Sequence, residues 1–127
     1  MSKKNIRILA VDDDALDLMI LQRYLDRLEQ WDTTFLPLTN GNEVWQTLSM
    51  QPVDLLFLDY RLGAVKSTEI IGRLHREWET LPVIVLTGHD EPEVSEEILH
   101  AGAQYCIPKQ QLSVDVLQAV FSHMLGP

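Results

Sequence analysis

The chain has 127 residues, 46% of them apolar, with one cysteine and a formal charge of −9 from 10 basic and 19 acidic side chains. That length suits one domain with one core. No apolar run reaches the roughly 18 residues of a membrane helix, a lone cysteine points to a reducing compartment rather than a disulfide scaffold, and a surface this acidic repels nucleic acid. The N-terminus is basic, but its short apolar run ends in Asp12, Asp13 and Asp14. A secretory signal would not place three carboxylates there, so a cytoplasmic protein is expected.

Residues 6–11 are apolar except for Arg7 and read as a buried strand ending at Asp12. Leu18, Leu21, Leu25 and Leu28 recur at spacings of three and four, which predicts a first helix over 15–29. The β-forming run 33–38 contains Pro37. Proline has no N–H to give to a ladder, so this strand is expected at a sheet edge. A short helix over 43–49 follows. The nearly continuous apolar run 53–58 suggests a central strand covered on both faces, ending at Asp59.

Ile70, Ile71, Leu74 and Trp78 mark a third helix, and 82–86 a fourth strand ending at Thr87 and Gly88. Pro92 suits the first turn of the next helix, with Asp90, Glu91 and Glu93 near its positive end. Val94, Ile98 and Ala101 face inward there and Gly102 closes it. Residues 104–108 form a fifth strand followed by Lys109. Ser113 caps a last helix with Leu117, Val120, Phe121 and Met124 inside.

Five strand–helix units in alternation imply an α/β fold with a parallel sheet, right-handed crossovers and helices on both faces. Ligands of such sheets bind beyond the carboxyl ends of the strands. Asp12, Asp13, Asp59, Thr87 and Lys109 stand at those ends and so gather at one rim. Facing carboxylates repel unless a cation lies among them. Oxygen donors without histidine or thiolate favour Mg²⁺ or Mn²⁺. A carboxylate can attack a phosphoryl group to give an acyl phosphate, whose spread charge needs donors around it. Lys109 and the Thr87 hydroxyl supply them.

Four stretches then carry a resemblance: residues 8–13 (ILAVDD), 56–62 (LFLDYRL), 82–88 (PVIVLTG) and 101–103 (AGA). In order and spacing the chain resembles the CheY-like receiver domain of two-component response regulators over nearly its whole length. The resemblance implies a doubly wound, five-stranded parallel sheet in the flavodoxin-like order 2-1-3-4-5. It implies a single receiver domain over 1–127, with Asp59 as phosphoacceptor and Thr87 and Lys109 assisting. By resemblance Asp13 and Asp59 hold the metal directly, Asp12 holds it through water, and the backbone carbonyl of Arg61 is a further ligand. The donor would be a sensor histidine kinase or a phosphotransfer protein. Output would run through a protein partner, an effector segment absent from these residues, or a phosphorylation-dependent dimer.

The chain departs from the family pattern in places. Pro108 precedes Lys109 where the family has lysine then proline, and Ser67 stands where glycine is usual. Cys106 occupies the aromatic switch position three residues before the lysine, with Tyr105 facing the other way. Gly88 leaves room for a phosphoryl group. Arg61 and His89, two residues beyond Asp59 and Thr87, would flank the path of attacking water and lengthen the phosphorylated state.

Bland roles are expected elsewhere: Asp14 as a cap, the acids of 90–97 as a solvated helix face, and Trp31, Trp45 and Trp78 as packing. His75, His100 and His123 would be surface histidines, and Cys106 a small buried apolar group. Competing functions are a degenerate receiver working as a phosphate-independent module, and an aspartate-nucleophile phosphatase. The phosphatase wants a second acid where Arg61 stands. A flavodoxin-like electron carrier would need a Ser/Thr/Gly-rich loop where the three aspartates lie.

Overall fold

A computed structural model of the chain describes residues 3–63, 65–88 and 92–126. Strand β1, Lys4–Val11, begins exposed and becomes buried over its second half. It pairs in parallel with β2, Trp31–Leu38, along all eight residues, and on its other side with β3, Leu55–Asp59. A two-stranded antiparallel hairpin, β4 Arg61–Leu62 and β5 Val65–Lys66, follows β3. β6, Val83–Thr87, and β7, Tyr105–Pro108, complete the main sheet in the order β2-β1-β3-β6-β7. Counting only the strands of this sheet, that is the expected order 2-1-3-4-5. β2 is an edge strand, as Pro37 required.

Strand alternation sorts the core into two layers. Leu55 and Phe57 of β3 pack with Ile8, Ala10, Ile84 and Leu86 under helices α1, Ala15–Leu25, and α5, Val114–Leu125. Leu56 and Leu58 pack with Leu9, Val11, Val83 and Val85 under α2, Val44–Met50, α3, Ser67–Glu77, and α4, Pro92–Ala101. Leu55 to Leu58 and all of β6 are buried, so the central strands are covered on both sides. Each such side chain contributes about 1.5–3 kcal/mol on leaving water.

Boundaries differ from the sequence reading where short-range bonds intervene. The first helix stops at Leu25 rather than residue 29. Arg27 and Leu28 N–H groups donate to Tyr24 and Leu25 carbonyls, a tightened turn three residues back. Leu28 stays buried, so the apolar spacing located the core residue and overran the helix. β3 starts at Leu55 rather than residue 53; just before it Asp54 is tied twice to Arg7 of β1, its N–H donating to the Arg7 carbonyl and its carboxylate accepting the Arg7 N–H, each at 2.8 Å. The hairpin β4–β5 is too short to leave a periodicity.

α4 starts at Pro92 as expected, while Asp90 and Glu91 lie outside the described residues. It ends against Gly102, whose φ is +122°. A Cβ there would approach the His75 ring to 2.8 Å, so glycine is needed for both backbone and space. His75 is therefore a packing residue of the α3–α4 contact rather than a surface histidine. Trp31 is buried and Trp45 stacks on Trp78 at 6.3 Å, in packing roles as read from the sequence.

Candidate functional site

The carboxyl ends of β1, β3, β6 and β7 share one rim because their registers bring them level. Asp59 aligns with Leu86, and Thr87 with Pro108, the residue before Lys109. The three consecutive aspartates divide the work. Asp12 is nearly buried and its Oδ1 accepts the Asp14 N–H at 2.9 Å. Asp13 is exposed and its Oδ2 lies 3.4 Å from the Gly63 N–H. Asp14 caps α1 by accepting the Leu16 N–H at 2.9 Å. Capping by Asp14 leaves the other two carboxylates free for the rim.

Lys109 opens a single 3₁₀ turn after β7, and its ammonium lies 3.0 Å from Asp12, 3.1 Å from Asp59 and 2.7 Å from Asp17. Burial pushes the Asp59 carboxyl up to about 6, the Asp12 charge adds to that, and Lys109 opposes both. Asp12 is raised as well, chiefly by burial. Burial alone would lower the Lys109 ammonium, but Asp17, Asp12 and Asp59 more than offset it and hold it well above its usual range. One ammonium thus serves more negative charge than it can neutralise.

Asp12, Asp13 and Asp59 each bring one carboxylate oxygen within 4.8 Å of the others. The donors are hard and anionic, and the surplus charge favours a divalent cation. The residues present therefore fit Mg²⁺ or Mn²⁺. Thr87 is fully buried at the end of β6. Arg61 is exposed on β4, and its guanidinium lies over the Tyr60 ring at 5.5 Å. His89, expected beside it, lies outside the described residues.

Two features escaped the sequence reading. Asp17 makes the shortest contact to Lys109; its signal was an acid in the first turn of α1, four residues after Asp13. On the other layer, the Tyr60 hydroxyl donates to Glu97 of α4 at 2.9 Å, and Lys66 lies 3.7 Å from the same carboxylate. No local pattern links residues 37 positions apart. Cys106 points into the α4 layer, its Sγ 3.8 Å from Ser95 Oγ. Tyr105 packs on the α1/α5 side and its hydroxyl meets His123 Nδ1. The expected opposition of the two residues holds.

A family model described as the response regulator receiver domain matches residues 8–121. The DNA-binding transcriptional regulator NtrC of Salmonella typhimurium is 30% identical over 99 residues, covering 78% of this chain and 20% of that protein. The chain therefore spans about a fifth of the length of this curated relative. A CheY-like receiver domain protein from Methanospirillum hungatei is 26% identical with a TM-score of 0.76, over 96% of this chain and 94% of that one. The Mn²⁺-bound form of response regulator Rcp1 has a TM-score of 0.75 at 20% identity, covering 92% of each chain.

Proposed function

The chain belongs to the response regulator receiver family, and from that premise we propose that it is a phosphorylation-controlled switch whose phosphoacceptor is Asp59. The carrying observation is the Lys109 ammonium held against Asp12 and Asp59 at one rim, with Asp13 in reach. In this reading an Asp59 carboxylate oxygen bonds to phosphorus as the bond to the donor nitrogen breaks, leaving an acyl phosphate on Asp59 and returning the electron pair to the donor histidine. Lys109 and the Thr87 hydroxyl, with backbone N–H groups, take the spread charge. Asp13, Asp59 and the Arg61 carbonyl would hold Mg²⁺ or Mn²⁺, with Asp12 acting through water, and the ion would supply charge neutralisation at the transferred group. The Mn²⁺ reported for Rcp1 supports a divalent ion of this class.

The whole of 1–127 acts as one receiver unit. Its donor is a sensor histidine kinase or phosphotransfer protein in the cytoplasm. Its output passes through a protein partner, an effector segment of a longer protein or a phosphorylation-dependent dimer. None of the described helices is long and apolar enough to cross a membrane, and the −9 charge leaves nucleic acid unfavoured as a direct ligand.

Incubation with acetyl phosphate and MgCl₂, read by intact mass, tests the proposal. Wild type gains one phosphoryl group; Asp59→Asn, or wild type in EDTA, gains none. Normal modification of Asp59→Asn, or indifference to EDTA, overturns the assignment.

A further inference from the structure

The ammonium of Lys109 has three N–H donors. Its three carboxylate neighbours, Asp12, Asp17 and Asp59, lie at 3.0, 2.7 and 3.1 Å. Every donor therefore has an acceptor before any phosphoryl group arrives. For Lys109 to hold a phosphoryl oxygen, one of these contacts must open. Asp12 and Asp59 belong to the group of oxygens that can close on a cation, and Asp17 does not. Asp17 is also the most exposed of the three acids, so water replaces its lost contact at least cost. We infer that Asp17 is a positioning residue that occupies Lys109 in the resting site and is displaced by the phosphoryl oxygen. It is an internal competitor standing where the transferred group will later be held.

The exchange has a structural consequence. Asp17 lies in the first turn of α1, where Asp14 caps the helix. Release of Lys109 cuts a link between β7 and α1, on the side of the molecule where Leu16, Met19 and Ile20 are exposed. Phosphorylation is thereby felt by α1.

The inference rests on Asp59 taking the phosphoryl group, and the test separates the two ideas. The probe is beryllofluoride with MgCl₂, titrated by tryptophan fluorescence on wild type, Asp17→Asn, Asp17→Glu and Asp14→Asn. Asp14→Asn removes an equal charge near the rim, keeps a good N-cap and does not touch Lys109. Asp17→Asn is expected to bind roughly three- to tenfold tighter, the size of one weakened ion pair. Asp17→Glu should return towards wild type, and Asp14→Asn should stay within about twofold of wild type. Hydrogen exchange gives a second readout: beryllofluoride alters the first turn of α1 in wild type and leaves it unaltered in Asp17→Asn. Equal tightening in Asp14→Asn and Asp17→Asn reduces the effect to through-space charge and overturns the inference, as does unchanged or weaker binding by Asp17→Asn. Wild type that binds no beryllofluoride overturns the phosphoacceptor reading and the inference together.

Discussion

The two sides of the sheet are built from different contacts. Under α1 and α5 the packing is apolar and aromatic: Trp31 meets Phe121 edge-on at 5.6 Å, and Phe57 lies 6.5 Å from the same ring. Under α3 and α4 the apolar layer is crossed by polar links, Tyr60 to Glu97, Lys66 to Glu97 and Ser95 beside Cys106. Close-packed rings cannot shift without opening voids. Hydrogen bonds and half-exposed ion pairs can change partners at small net cost. The ring cluster under α1 and α5 therefore acts as a frame, with exchangeable contacts only around it, Asp17 to Lys109 and His123 to Tyr105, while across the α4 layer itself the polar links can be exchanged. Tyr60 directly follows Asp59, so a change at the carboxylate reaches α4 through one residue.

The largest expected effect falls on the frame. Phe121→Ala should cost about 3–5 kcal/mol, the range for losing a buried aromatic ring, read as a fall in the urea midpoint at unchanged slope. A loss below about 1 kcal/mol would show that this layer is no more rigid than the other.

The rim above the frame should show itself in pH dependence. The Asp59 carboxyl has a folded pKa of about 6 against an ordinary 3.8, so between those values the folded state holds a proton that the unfolded chain has released. Its contribution to stability is present below about pH 4 and is lost as pH rises through 6. In metal-free buffer, Asp59→Asn should therefore stabilise the protein at pH 7.5 by on the order of 3 kcal/mol. The gain should vanish near pH 4. Parallel stability curves for the two proteins would break the argument.

The smallest effect is expected on the adjustable side. Tyr60→Phe keeps the ring and removes the donor to Glu97, so stability should fall by only about 1 kcal/mol. Amide exchange in α4 should nevertheless quicken, with α5 unchanged. Equal changes in the two helices would erase the distinction between frame and adjustable layer.

Most of the fold was legible because its signals are local and repeated. The buried strands are continuous apolar runs, the helices show three- and four-residue spacing, and Pro37 marked the edge. The rim followed from topology, since Asp12, Asp13, Asp59, Thr87 and Lys109 each end or follow a strand of the sheet. What stayed hidden depends on side-chain reach across the fold. Asp17 meets Lys109 over 92 residues of chain, and an acid in the first turn of α1 reads locally as favouring the helix start, with nothing to tie it to Lys109. The contact of the Arg61 guanidinium with the Tyr60 ring, 5.5 Å from its centroid, was likewise not marked in the sequence.

Pro37 has one more effect. The Leu38 carbonyl accepts the Asp12 N–H at 3.0 Å, which turns Leu38 toward β1 and, by alternation, turns the nitrogen of Pro37 to the open side of the sheet. Along that margin one donor is missing. A second copy laid alongside as a sixth strand would find its ladder broken at that residue. At the opposite margin β7 is only four residues long and ends in Pro108. Both margins of the sheet thus carry a feature that weakens edge-to-edge addition of another strand: a missing donor at Pro37 on one, and a short strand ending in proline on the other.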